Sequence, residues 1–281
     1  MTMACAPGTP FLTEGTDGTP RRMLETVGGM TLLSRDVLLR GFRHIEWKLL
    51  LQQLEQIGWR SLSIVNLTAL FTGMVMALQL GVFLSKFGAK IYISGVIGLA
   101  IVRELGPTLS ALMIGARAGA GIAAELGSMA VTEQLDALRA LGADPLRKLV
   151  MPRLLALLIV VPALTVIADA LGILGGSFIA VSELRVDPTF YFSTLFRGGW
   201  IVFDDVFSGL GKSVFFAFII GVIACYNGMM TSGGADGVGR ATTRTVVTAS
   251  ITILLSDFFL TKLFLFLPDT QSIFRLIRRI G

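Results

Sequence analysis

Residues 61–85 read SLSIVNLTALFTGMVMALQLGVFLS, from Ser61 to Ser85 without one charged side chain. As an α-helix this run is about 37 Å long at ~1.5 Å per residue, enough to cross a ~30 Å hydrocarbon core with some tilt. The composition agrees. Of 281 residues, 53% are hydrophobic and only 15% charged, against roughly a quarter charged in a soluble domain. Such a chain carries more apolar surface than it can bury on itself, and a bilayer takes the excess. The reading is an all-α integral membrane protein.

Working outward, residues 36–59 are amphipathic. Leu38, Phe42, Ile45 and Leu49 recur at helical spacing, with Arg40, Arg43, Glu46 and Lys48 between them. Trp47 and Trp59 suit the headgroup level, so this is a helix in the membrane interface; a soluble amphipathic helix is the alternative. Residues 1–35 read as a disordered tail, whose first 22 residues are rich in Thr, Gly and Pro and lack the apolar run of a signal peptide.

Downstream, four more spans are expected. Residues 91–124 form one long helix bent near Pro107. Gly115 and Gly119, like Ala116 and Ala120, stand four apart, a spacing that lets helices approach closely in lipid. Further spans cover about 154–182, 206–230 and 245–267. A charged loop at 183–205 and a glycine-rich loop, Ser232–Arg240, join them, and a basic tail at 268–281 follows. The membrane-spanning body is thus 36–267. Basic residues crowd the segment before the first span, residues 125–153, and the loop at 232–244, which puts these on the cytoplasmic side. The N-terminus is then cytoplasmic and the C-terminus periplasmic, although Arg275, Arg278 and Arg279 of the tail run against the rule.

Residues 125–153 are a polar island between apolar blocks. Thr132 can cap a helix, and Glu133 and Asp136 suit its positive N-terminal end. Val131, Leu135 and Leu138 make a narrow apolar stripe, and Gly142 is placed to end the helix. Asp144-Pro145 reads as the cap and first residue of the next one. A short helix at about 131–142 with one charged face suits docking to a soluble partner, or is simply a well-capped loop.

Several motifs stand in order here: Arg-Glu-Leu-Gly-Pro-Thr-Leu from Arg103, Gly-Ala-Arg-Ala-Gly from Gly115, Ala-Ala-Glu-Leu-Gly-Ser-Met from Ala123, Thr-Glu-Gln-Leu-Asp-Ala-Leu from Thr132, and Gly-Ala-Asp-Pro-Leu from Gly142. With Cys225-Tyr-Asn-Gly and Gly233-Gly-Ala-Asp-Gly-Val-Gly-Arg, they closely resemble the MlaE/YrbE permease family over about residues 40–267. That family supplies membrane subunits of ABC transporters that move phospholipids or other lipids with MCE-domain partners. The resemblance implies a permease dimer in the bacterial inner membrane, served by two copies of a separate ATPase that binds ATP and Mg. It also implies a periplasmic MCE-domain oligomer, a phospholipid substrate moved between membranes, and a part in outer-membrane lipid asymmetry. Glu133, Gln134, Asp136, Ala137, Leu138, Gly142, Asp144 and Pro145 match the coupling helix that seats in the ATPase. Arg103, Glu104, Gly106 and Pro107 match the neighbourhood of a lipid pocket.

On the residues themselves, Arg103 and Glu104 either face a polar headgroup or form a structural pair between helices. Arg117 and Glu125, two turns apart, read as structural, and Asp169 and Asp257 as partners between helices. Gly211-Lys212-Ser213 imitates a phosphate-binding loop, but Val206 stands where that motif needs glycine. Gly237-Val-Gly239 is a weak dinucleotide match. One histidine, His44, and two distant cysteines, Cys5 and Cys225, give no metal site and no catalytic set. The chain is expected to be no enzyme, to bind no nucleic acid and to hold no cofactor. A secondary transporter or channel, not driven by ATP, is the alternative; it predicts an internal repeat, and none is visible. A membrane-embedded lipid enzyme is a third; it needs a carboxylate or histidine constellation beside the spans, and the only acidic pair, Asp204-Asp205, sits in an outside loop.

Overall fold

The computed structural model describes residues 28–37, 47–197, 201 and 203–266, which form helices without a strand. In chain order these are α1 (residues 28–37), α2 (Trp47–Lys86), α3 (Lys90–Val131), α4 (Gln134–Ala140), α5 (Leu146–Ser182), α6 (Pro188–Arg197), α7 (Phe203–Met229) and α8 (Gly234–Phe266). Five of them, α2, α3, α5, α7 and α8, are long and apolar enough to cross a bilayer. The chain is therefore an all-α, multi-pass membrane protein.

The entry into the bundle differs from expectation. Residues 47–59 do not end a separate interfacial helix; they run unbroken into the first span, giving a 40-residue α2. No proline interrupts them, and the one glycine, Gly58, lies in mid-helix. At ~60 Å, α2 outruns the hydrocarbon thickness by about a factor of two. Trp47 and Trp59 are exposed along it. Residues 28–35, expected in the disordered tail, belong to α1, because Met30, Leu33 and Val37 share a face packed on the core. Residues 38–46 of the expected interfacial helix, the tail 1–27 and the basic tail 268–281 lie outside the described residues.

Packing is built on small residues at two crossings. A Cβ on Gly73 of α2 would run into the backbone of Gly172 in α5, and one on Gly175 into the carbonyl of Leu70. The two backbones can meet there because neither carries a side chain. On the other side α7 forms the centre: Phe216, Ala217, Ile220 and Ala224 are fully buried. A Cβ on Gly115 or Gly119 of α3 would meet Ile220 at ordinary van der Waals distance. Ala116 instead points outward and Ala120 is half-buried. A one-residue offset turns the alanine pair ~100° around the helix from the glycine pair, so the four residues do not form one face.

Two spans carry wide five-residue turns where regular helix is expected. α3 contains π-turns at Ile101–Leu105 and Gly115–Gly119, and α5 opens with one at Leu146–Val150. The bend expected near Pro107 is thus a π-turn ending two residues before it. The glycine-rich loop is shorter than expected. Only Gly233 and Gly234 have positive φ, 91° and 69°, and α8 already begins at Gly234. Asp236 pairs with Arg240 one turn on, at 2.6 Å, and a Cβ on Gly237 would strike the carbonyl of Ser232. The Gly237-Val-Gly239 run is therefore helix. The charged loop at 183–205 contains α6, capped by Asp187, whose Oδ1 accepts the N–H of Phe190 at 2.9 Å. Tyr191 and Leu195 anchor it in the bundle with no exposure.

Candidate functional site

Three groupings of polar residues stand out against this apolar frame. The first is the connection between α3 and α5. Thr132 closes α3, its hydroxyl donating to the Ser128 carbonyl at 2.7 Å, instead of capping the next helix. Glu133 then takes a left-handed conformation, φ 59°, and α4 runs only from Gln134 to Ala140. Its exit is a Schellman motif: Gly142, φ 74°, donates to the Arg139 carbonyl, and Ala143 donates to Leu138, both at 3.0 Å. Asp144 caps α5 as the sequence indicates, Oδ1 accepting the N–H of Leu146 at 3.0 Å, with Pro145 as first residue.

The faces of α4 are unequal. Leu135 is its one buried side chain and Leu138 is half-buried. Glu133, Gln134, Asp136 and Ala137 are exposed, and Asp136 pairs with Arg139 at 2.9 Å on the outside. Leu141 is 83% exposed, an apolar tip beside these charges. The segment is a capped hairpin corner with a polar, leucine-tipped face turned away from the bundle.

The second grouping lies within the spans near the opposite end. Lys212 of α7 is 1% exposed. Its ammonium donates to Glu104 Oε2 of α3 at 2.8 Å and to Thr261 Oγ1 of α8 at 2.7 Å, and lies 3.2 Å from Asp257 Oδ1 of α8. It also donates to the backbone carbonyl of Arg103 at 3.1 Å. Thr261 in turn donates to Glu104. Two carboxylates thus share one ammonium, and three helices meet there. The Arg103 side chain turns to Asp205 at the start of α7, 3.6 Å away. Arg103 and Glu104, 32% and 39% exposed, are each paired to another helix while part of each stays accessible. Gly106 packs so closely on Asp169 of α5 that a Cβ would overlap its carboxylate. Pro107 touches the position a Cβ on Gly209 of α7 would take.

A third set ties the α4 corner to the bundle. Glu125 of α3 accepts from Arg153 of α5 at 3.0 Å and from Gln56 of α2 at 2.8 Å. Eight residues earlier, Arg117 donates to Ser61 of α2 at 3.0 Å. The structural reading of Arg117 and Glu125 agrees with these contacts, and both residues bind the same neighbouring helix.

Residues 50–263 match the family of permease MlaE. The chain belongs to the MlaE permease family. It is 42% identical over 244 residues to a probable ABC transporter permease protein of Rickettsia felis, covering 86% of this chain and 93% of that one. It is 40% identical over 216 residues to the intermembrane phospholipid transport system permease protein MlaE of Haemophilus influenzae, covering 76% and 82%. It is 36% identical over 236 residues to protein TRIGALACTOSYLDIACYLGLYCEROL 1, chloroplastic, of Arabidopsis thaliana, covering 83% and 66%.

In this MlaE-family permease the residue that sequence reasoning missed is Lys212. It was visible as an ionisable side chain inside an apolar span, which by default marks a functional or tightly paired position. The likeness of Gly211-Lys212-Ser213 to a phosphate loop is incidental, since the lysine turns into the bundle. Thr261 carried no signal; only the fold brings it to Glu104, 157 positions away.

Proposed function

We propose that this MlaE-family permease is the membrane-spanning subunit of an ATP-driven transporter that moves phospholipids between membranes, with a separate ATPase docked on α4. The observation that carries the reading is the build of that corner in a chain of this family. A seven-residue helix is pinned by one buried leucine, locked at its exit by Gly142, and turns Glu133, Gln134, Asp136, Ala137 and Leu141 outward. Leu138, half-buried, belongs to the seat of the helix; Asp144 and Pro145 fix the start of α5. A helix with an apolar tip and a charged rim fits a cleft on a soluble partner. Because α4 is joined to α3 and α5 by short, capped turns, movement of the ATPase passes into two spans at once.

In this reading the α4 end is cytoplasmic, the membrane is the bacterial inner membrane, and two permeases bind two ATPases that hold ATP and Mg. The opposite end, with α6, meets a periplasmic MCE-domain oligomer. Arg103, Glu104, Gly106 and Pro107 border the lipid pocket there, and the flux serves outer-membrane lipid asymmetry. The chain itself does no chemistry. The test is Glu133→Lys with Asp136→Lys, made in the complex purified from its native membrane. The double variant is expected to fold but to lose the ATPase and ATP-dependent lipid movement. Retention of both would remove α4 as the docking element, and lipid movement driven by a proton gradient without any ATPase would replace the reading with a secondary transporter.

A further inference from the structure

Proline at position 107 has no N–H, so the carbonyl four residues back, that of Arg103, lacks its usual helical donor. The π-turn before it does not help, since the N–H of Gly106 is given to Ile101. In lipid an unsatisfied carbonyl is costly and must find a partner inside the protein. Here the partner comes from another helix: Lys212 donates to the Arg103 carbonyl at 3.1 Å. One turn before Lys212, Gly209 brings α7 so close that a Cβ there would meet the Val102 carbonyl. Gly209 and Lys212 stand three apart on one face of α7 and receive the two carbonyls at the π-turn. The same ammonium neutralises Glu104, the next residue along α3.

We infer that Lys212 is a positioning residue for the lipid site: it replaces the hydrogen bond removed by Pro107 and so holds the π-turn that aims Arg103 and Glu104. The inference rests on the reading of those two residues as bordering the pocket. It assigns Lys212 a role through the backbone of α3, beyond charge neutralisation. The two roles separate genetically. Pro107→Ala returns an N–H to the Arg103 carbonyl, so it compensates for loss of the Lys212 bond. It cannot compensate for loss of the Glu104 charge.

The experiment uses the whole complex in vesicles of phosphatidylethanolamine and phosphatidylglycerol. Amide exchange is followed on the peptide spanning residues 101–109, and ATP-dependent movement of fluorescent phosphatidylethanolamine is measured beside it. Lys212→Met is expected to speed exchange by roughly ten- to a hundredfold, the worth of a hydrogen bond to a charged group, and to abolish most lipid movement. Adding Pro107→Ala should return much of the exchange protection and part of the movement, whereas Glu104→Gln should gain nothing from Pro107→Ala. If Lys212→Met does not accumulate, its accumulation in the Pro107→Ala background is the readout, and failure in both overturns the inference. Additive effects of Lys212→Met and Pro107→Ala overturn it, and so does normal lipid movement by Lys212→Met despite faster exchange. Failure of the unaltered complex to move lipid would instead count against the transport reading and would leave the exchange result standing.

Discussion

Removing either partner of the Glu125–Arg153 pair should destabilise the protein by very different amounts. The pair is lopsided: the Arg153 side chain is 6% exposed and that of Glu125 39%. Glu125→Leu leaves a guanidinium buried with, among the described residues, the Leu149 carbonyl as its remaining partner, at 3.1 Å. A buried charge stripped of its counter-ion costs ~3–5 kcal/mol. Arg153→Leu leaves a carboxylate that is partly solvated and still accepts from Gln56. That loss is nearer the scale of one charge-assisted hydrogen bond, about 1–2 kcal/mol after allowing for solvent. At ~2–4 °C per kcal/mol for a chain of this size, the expected falls in detergent melting temperature are roughly 6–20 °C for Glu125→Leu and roughly 2–8 °C for Arg153→Leu. The double variant should lose less than the sum, with a coupling of ~1–3 kcal/mol between contacting residues. The assay is thermal unfolding of the three purified variants. Equal falls for the two single variants, or a strictly additive double, would refute the reasoning that burial of the survivor sets the cost.

Three further outcomes follow from single contacts. Gly73→Ala should weaken the α2–α5 crossing by ~1–3 kcal/mol through overpacking on Gly172, while Gly121→Ala, with open space around its Cβ, should leave the melting temperature within error. Burial pushes the Tyr191 hydroxyl in α6 from 10.0 up to about 12; the fold favours the neutral phenol, so stability is intact below pH ~10, falls as pH rises toward ~12, and Tyr191→Phe should flatten that fall in pH-dependent melts. Gly142→Val forces a branched side chain into φ 74° at a local cost of about 1–2 kcal/mol, and should lower ATPase association in a pull-down while the melting temperature of the spans holds.

Legibility in the sequence followed the range of the interaction. The five spans were visible because twenty or so apolar residues have one reading. Asp144-Pro145 was visible because a cap acts within three residues, and Gly142 for the same reason. Asp187-Pro188 carries the identical signature for α6, hidden inside a run of charges. Thr132 and Glu133 misled, since Thr132 bonds backward to Ser128 and a left-handed Glu133 leaves no residue-type signal. Glycines 234, 237 and 239 suggested a loop, but close packing on Ser232 and the Asp236–Arg240 pair keep the helix. The Lys212 cluster was out of reach: its members come from α3, α7 and α8, and no spacing rule connects positions 104, 212 and 257.

That separation has a consequence for how the protein is made. Glu104 and Lys212 are 108 residues apart, and ribosomes add ~5–20 residues per second. For roughly 5–20 s after Glu104 leaves the ribosome, its counter-ion has not been synthesised. Asp257 and Thr261 arrive later still. Throughout that interval α3 carries a carboxylate, and a carbonyl freed by Pro107, whose partners in the finished fold have not yet been made. The nascent chain must therefore keep α3 beside the translocon or at the water boundary until α7 inserts. Biogenesis is where a Lys212 variant would first be noticed, as a half-made bundle delivered to quality-control proteases.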